Sequence, residues 1–297
     1  MGPTASGKSA VALALARSLG GTELVYVDAM AVYRGMDIGT AKPPPAERAE
    51  IPHHGLDLAE PWEEITVVAF QRAVATALAG IEARAHRAVL VAGTGLYLRA
   101  VVDGLEPPGE YPHVRAELEA EPCTELLHAR LATLDPLAAS RMEPTNRRRV
   151  VRALEVCLGS GRPFSSFGPG LETYPPSPVR QLGLRWPRPV LTDRIERRFA
   201  AMLDAGLLGE VARLARHPRG LSRTAAQALG YKELLAHLRG ELSLPEAVAL
   251  AVTRTRQLAV RQERWFRRDP RIHWVDLHED PLEAVPHLLE LLHPCPS

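Results

Sequence analysis

With 297 residues, 46% of them hydrophobic and 24% charged, the chain can bury a full core and hold one large domain or a core with an insertion. A formal charge of +1 does not announce a nucleic-acid binder, although arginines cluster in two places. No apolar run approaches membrane-spanning length, no signal-peptide pattern opens the chain, and Cys123, Cys157 and Cys295 lack metal-type spacing, so no membrane partner and a reducing, cytoplasmic setting are expected.

Directly after Met1, Gly2-Pro3-Thr4-Ala5-Ser6-Gly7-Lys8-Ser9 fits the phosphate-loop (P-loop) pattern G-x-x-x-x-G-K-[ST]. The glycines let backbone N–H groups converge on a phosphate, Lys8 adds a point charge, and the Ser9 hydroxyl can ligate Mg²⁺. Val11, Leu15 and Leu19 then recur at helical spacing and Gly20-Gly21 supplies a stop, so the loop opens onto a helix N-terminus whose dipole favours an anion. Such a loop springs from a buried strand, and Met1 alone precedes it here. Either the chain starts upstream of this Met1, or the sheet lacks a central strand and the loop is weakly anchored.

Leu24-Val25-Tyr26-Val27 reads as a buried strand ending at Asp28. Ligands gather at such strand ends in α/β sheets, so Asp28 is either a site carboxylate or a strand-terminating cap. Residues 31–43 read as a loop whose two glycines, two cations (Arg34 and Lys42) and threonine hydroxyl suit a phosphate. His53-His54, with no third ligand nearby, reads as a pair of loop contacts. Val67, Phe70, Val74, Leu78 and Ile81 follow the helical period, and Ala88-Val89-Leu90-Val91 is a strand running into Gly93-Thr94-Gly95. A glycine turn at that strand end, where an NTPase often carries an acid, argues against ATP hydrolysis.

From Glu106 the texture changes to short charged helical segments. Thr145–Leu158 carries Arg147, Arg148, Arg149 and Arg152 and stops at Gly159-Ser160-Gly161, and a Pro/Gly/Ser-rich stretch, Pro163 to Pro178, leads to a strand at Gln181–Arg185. The expected organisation is a core over 1–106, a helical insertion over 107–178 and core completion over 179–297. The last part reads as helices over Thr192–Leu214 and Thr224–Leu238, then a long one opened by the capping box Ser243-x-x-Glu246, then a strand at Ile272–Val275. On the long helix Arg254, Arg261 and Arg268 recur every seventh residue and form one stripe, suited to an anionic partner. The fold expected is α/β: a P-loop-containing parallel-sheet core with helices on both faces and a smaller helical insertion domain.

Together these motifs resemble the tRNA dimethylallyltransferases (tRNA isopentenyltransferases) of bacterial type. The resemblance spans nearly the whole chain. It rests on Gly2–Ser9, on Val32-Tyr33-Arg34-Gly35-Met36-Asp37-Ile38-Gly39-Thr40-Ala41-Lys42-Pro43, and on Gly93-Thr94-Gly95-Leu96-Tyr97. It continues through Arg152-Ala153-Leu154-Glu155-Val156, Gly230-Tyr231-Lys232-Glu233 and Thr255-Arg256-Gln257-Leu258-Ala259. It implies transfer of a dimethylallyl group from its diphosphate to the exocyclic amine of the adenosine 3′ to the anticodon. Thr4, Lys8 and the Gly2–Ser9 amides would then hold the diphosphate with Mg²⁺ at Ser9, and Asp28 would take the proton. The tRNA anticodon stem-loop would be met by Asp28, Ala29, Met30, Ala31, Thr94, Arg148, Arg149 and Arg152. The residues themselves add Arg254, Arg261 and Arg268, and a monomer is expected.

Three positions depart from the family pattern: Ala29 stands in place of a serine, Ala92 in place of a glycine, and Gln227 in place of an arginine. A diphosphate contact there would fall to the amide or to a neighbour such as Arg223. The rival readings are a P-loop small-molecule kinase, a free-adenylate isopentenyltransferase and a non-catalytic RNA-binding NTPase switch.

Overall fold

The computed structural model describes residues 1–105, 107–167, 171 and 173–292. Glu106, Cys295 and part of the Pro163–Pro178 stretch lie outside them. Internal contacts divide the chain into two units, Met1–Asp103 with Ser177–Ser297, and Gly104–Pro176.

In the first unit, α1 (Lys8–Leu19) leads to β1 (Thr22–Val27), α2 (Pro45–Glu50), β2 (His53–His54), α3 (Val67–Ala83), β3 (Arg87–Ala92) and α4 (Gly95–Val102). The strands pair in parallel in the order β2-β1-β3, with Leu24 opposite both His53 and Val89. All of β1 is buried, as a parallel strand covered on both faces must be. Its alternation sorts the two faces. Leu24 and Tyr26 pack with Ala12, Leu13 and Ala16 of α1, while Val25 and Val27 pack with Phe70 and Val74 of α3. The pair His53-His54, expected to be loop contacts, is instead a short edge strand, held because Leu24 N–H reaches Pro52 O at 2.9 Å.

The second unit holds α5 (Pro112–Ala120), α6 (Thr124–Leu134), α7 (Pro136–Ser140) and α8 (Arg147–Ser160) around Leu118, Leu127, Leu131, Val150 and Leu154. Asn146 caps α8 by accepting from Arg149 N–H, and Gly161 ends it at φ 69°. The first arginine of the run is spent on the fold. Arg147 donates to the carbonyls of Glu119 at 3.1 Å and of Glu121 at 2.5 Å, satisfying groups at the α5 C-terminus.

The first unit resumes with β4 (Gln181–Arg185), α9 (Arg188–Asp204), α10 (Leu207–Ala215), α11 (Tyr231–Leu238), α12 (Leu244–Phe266), β5 (Ile272–Asp276) and α13 (Ala284–Leu292). Strands β4 and β5 pair in parallel, Gln181 opposite Ile272. The helix expected over Thr192–Leu214 is two helices, because Gly206 sits at φ 97°, outside helical space. Gly230 at φ 87° likewise delays the helix expected from Thr224 until Tyr231.

Met1 and Gly2 join the two sheets. Gly2 N–H donates to Ala92 O of β3 at 3.4 Å, Leu184 N–H of β4 donates to Met1 O at 2.8 Å, and the Met1 amino group donates to Leu182 O at 2.6 Å. The weak anchoring expected for the following loop is therefore not found. Among the described residues no helix is long and apolar enough to cross a membrane.

Residues 31–43 form the expected loop, but its apolar residues and Lys42 pack into the fold. Val32, Tyr33 and Met36 are fully buried. The Lys42 ammonium, 1% exposed, donates to Tyr33 O at 2.6 Å, Asp37 at 2.8 Å and Asp57 at 2.6 Å, and Arg34 pairs with Glu60. A buried ammonium is stable only with its three hydrogens satisfied, so Lys42 is not available to a phosphate, whereas the Arg34 pair lies at the surface. Glu210 ties the same segment down, its carboxylate accepting from the N–H groups of Asp37, Ile38 and Gly39 and from the Tyr231 hydroxyl.

Candidate active site

The site forms at the C-terminal ends of β1 and β3, around the N-terminus of α1. The Gly2–Ser9 loop turns tightly there, with Ala5 at φ 61° and Gly7 at φ 84°. A Cβ on Gly7 would come within 2.3 Å of Pro281, so only glycine fits. The loop carbonyls are held by donors. Lys8 Nζ donates to Pro3 O at 2.8 Å, Arg194 Nε to Ala5 O at 3.0 Å, and Trp186 Nε1 to Ser6 O at 3.0 Å. With these carbonyls engaged, the concavity is left to N–H groups and to the positive end of the α1 dipole, a setting for an anion. Ser6 Oγ, fully buried, has no hydrogen-bond partner among the described residues.

Asp28 caps its strand with one carboxylate oxygen and leaves the other turned to Gly93. One carboxylate oxygen, Oδ1, accepts from the N–H groups of Met30 at 2.8 Å and Ala31 at 3.1 Å, capping the strand. The other, Oδ2, faces Gly93. A Cβ placed on Gly93 would lie 3.3 Å from Asp28 Oδ2, 3.6 Å from Gln262 Nε2 and 3.7 Å from Lys8 Cε, so the missing side chain marks where three functional groups converge. Thr94 Oγ1 accepts from Ala29 N–H at 3.2 Å and holds the acidic turn against the glycine turn.

Two cations meet this carboxylate. Burial lowers the Lys8 ammonium to about 8, with the neighbouring Arg198 guanidinium pushing the same way and Asp28 opposing. Arg198 of α9 is itself lowered by burial and raised by Asp28, and its guanidinium makes no ion pair among the described residues. Tyr97, buried against Phe70 at a ring distance of 4.7 Å, has its phenol pushed up to about 12 by burial, with Tyr33 and Asp28 adding to the effect, so it stays protonated beside Asp28. The arrangement can grip an anionic group, neutralise charge building on it, and offer a carboxylate oxygen to a proton a short way off.

Sequence reasoning brought Thr4 to Ser9, Asp28, Ala29 and Thr94 to one place, and the structure has them there; Met30 and Ala31 serve as Asp28's amide donors. It missed Arg198, Gln262, Trp186 and Arg194, which reach the loop from far along the chain and carry no local signature. Gln227 is exposed and accepts from Lys232 Nζ at 2.9 Å, and Arg223 is exposed. Among the arginines assigned to RNA, Arg254 pairs with the buried carboxylate of Glu233 at 2.5 Å. In the other unit, Arg152 donates to Pro108 O at 2.7 Å and pairs with Glu155 at 3.0 Å. Arg148, Arg149, Arg261 and Arg268 are exposed, and their guanidiniums have no partner among the described residues. No cluster of three or more His, Cys, Asp or Glu able to hold a metal exists among the described residues.

An α/β protein with an amide-lined anion cradle facing a strand-end carboxylate is a group-transfer enzyme in outline. Residues 31–269 match the model of the family described as IPP transferase. The chain is 47% identical over 304 residues to a tRNA dimethylallyltransferase of Kineococcus radiotolerans, covering 98% of this chain and 95% of that protein. It is 46% identical to one from Geobacter metallireducens, covering 93% and 90%. Among solved structures it superposes on the full-length tRNA isopentenylpyrophosphate transferase of Bacillus halodurans with a TM-score of 0.71 and 35% identity, over 98% of this chain and 93% of that one. A eukaryotic dimethylallyltransferase acting on tRNA shares the fold, with a TM-score of 0.80 at 24% identity over 98% of this chain and 78% of that one. The chain belongs to the IPP transferase family.

Proposed function

We propose that the protein transfers a dimethylallyl group from dimethylallyl diphosphate to the exocyclic N6 amine of the adenosine 3′-adjacent to the anticodon of a tRNA, releasing diphosphate. The observation that carries this is the free Oδ2 of Asp28, set beside Lys8 at the mouth of the loop. As the donor's C1–O bond breaks, negative charge grows on the departing diphosphate. Lys8, Arg198 and the loop amides stabilise it there. The adenosine amine attacks C1, forming the N–C bond, and its proton passes to Asp28. The base must leave its stack to reach Asp28, an extrusion that base-modifying enzymes commonly use.

Ser9 offers a single neutral oxygen, and a hard cation such as Mg²⁺ takes about six. The residues therefore fit an ion that arrives with the diphosphate and water, and its chemistry is charge neutralisation on the leaving group. The Gly2–Ser9 loop and its sheet form a P-loop core, and Gly104–Pro176 forms the helical insertion. The anticodon stem-loop meets the turn from Asp28 to Ala31 and Thr94, and its phosphates meet Arg148, Arg149, Arg261 and Arg268. Arg152 and Arg254 hold the fold. The enzyme works as a monomer in the cytoplasm and needs no ATP; a glycine at the end of β3 in place of an acid disfavours the kinase reading.

The test is to incubate the protein with labelled dimethylallyl diphosphate and bulk tRNA, digest, and identify the nucleoside that carries label. Label on N6-modified adenosine is the expected result. An unlabelled tRNA beside transfer to AMP added in a parallel reaction, or turnover that depends on ATP hydrolysis, would replace the reading.

A further inference from the structure

We propose that Gln262 is a positioning residue for group transfer, its side-chain amide holding the anion-binding loop in register with the Asp28 carboxylate. This rests on the reaction proposed above. Gln262 Oε1 accepts from Thr4 N–H at 2.8 Å and Gln262 Nε2 donates to Gly93 O at 2.7 Å. A backbone N–H only donates and a carbonyl only accepts, so the amide has one orientation, and neither a carboxylate nor an apolar side chain can make both bonds.

The three tied points are the loop, the end of β3 and α12. They are remote in sequence and adjacent to the chemistry. Gly93 is the residue whose bare Cα leaves room where Asp28 Oδ2, Lys8 and Gln262 converge. Sliding the loop relative to Gly93 changes the spacing between the cation that receives the leaving group and the carboxylate that receives the proton. Thr4 N–H is consumed by Gln262 and Ser6 N–H by Pro3 O at 3.3 Å, so the grip on diphosphate belongs to the amides from Gly7 onward and to Lys8 and Arg198. Loss of Gln262 therefore leaves the grip intact and misplaces it. A misplacement of about 1 Å costs on the order of 10²-fold in rate.

The experiment compares wild type, Gln262→Met and Gln262→Glu in three measurements: affinity for inorganic diphosphate, affinity for tRNA, and single-turnover transfer per folded molecule. Gln262→Glu keeps the Thr4 bond and sets a second oxygen against Gly93 O, so it provides a folded comparison should the methionine variant fail to fold. The expected result is a fall of about 10- to 100-fold in transfer rate with both affinities within about twofold of wild type. An unchanged rate with a lowered melting temperature makes Gln262 a purely structural residue and overturns the proposal. So does an unchanged rate with weakened diphosphate binding, or a loss confined to tRNA affinity. If wild type itself transfers nothing to tRNA while still binding diphosphate, the reaction assigned above fails and takes this inference with it.

Discussion

At the scale of single residues, the site is an arrangement of one carboxylate and two cations whose states the surroundings set. Asp28→Asn keeps Oδ1 as an acceptor for Met30 and Ala31, so the turn survives while the proposed proton acceptor is lost. Transfer should fall by about 10²–10⁴-fold with tRNA affinity little changed, measured by single-turnover rates beside a binding titration. A variant with wild-type rate returns Asp28 to capping alone. Lys8 makes a second prediction. Its folded value of about 8 is depressed, so above that pH the free protein carries a neutral amine. Binding a diphosphate favours the ammonium and takes up a proton. Affinity for inorganic diphosphate should therefore decline as pH rises through 8, relative to Lys8→Arg, whose charge is constant and whose curve removes the ligand's own titration. Parallel curves for the two proteins would show that Lys8 is charged throughout.

At the scale of elements, α12 does two jobs along one length. At its middle Arg254 neutralises the buried Glu233 carboxylate, and near its end Gln262 reaches the loop while Arg261, and Arg268 just past the helix, face solvent. A stripe defined by a seven-residue spacing thus divides according to which positions fold against a carboxylate. Arg254→Gln leaves Glu233 charged and buried without its partner, and should lower the melting temperature while the salt dependence of tRNA binding stays put. Arg261→Gln and Arg268→Gln should each leave the melting temperature unchanged and reduce the slope of log K against log salt by roughly 0.7–0.9. Calorimetry and salt titrations of the three variants decide it; an unaltered slope in the last two removes this end of α12 from the RNA surface.

At the scale of the whole molecule, stability and chemistry sit at opposite ends of the β2-β1-β3 sheet. At the C-terminal ends is the site. At the other end Glu23 of β1, 1% exposed, is met by Arg84 at 2.8 Å, His54 at 2.6 Å and His86 at 2.8 Å, which joins β1, β2 and the α3–β3 turn. The Arg84 hydrogen bond foremost, with the two imidazoles, holds its carboxyl down at about 2 against an ordinary 4.5. A depressed carboxyl stabilises the fold above its unfolded value, and that contribution is lost as pH falls from about 4.5 towards 2. With Arg84 and His86 partly in water the contribution is about 2 kcal/mol. Glu23→Gln should lose that much at neutral pH and flatten the acid limb of stability, with the transfer rate per folded molecule unchanged, read from denaturant melts across pH 2–5. An acid limb as steep as wild type would place the acid sensitivity elsewhere.

What could be read from the chain alone was what neighbouring residues decide among themselves. The loop Gly2–Ser9 and its helix, the strand ending at Asp28, the strand running into Gly93 and the capping box at Ser243 all follow from local sterics, caps and the 3.6-residue period, which act over a few residues wherever the segment ends up. Tertiary structure decided which charges are spent and which are free. Lys42 and Lys8 look alike in sequence, yet one is saturated by two aspartates and a carbonyl and the other stands beside Asp28. Arg198 and Gln262 reach the site only because α9 and α12 fold back onto a loop at the far end of the chain. The helical period says which face a side chain occupies; it carries no information about the partner across a gap of many residues. A charge acquires its role from that partner, through the cost of leaving either one buried and alone.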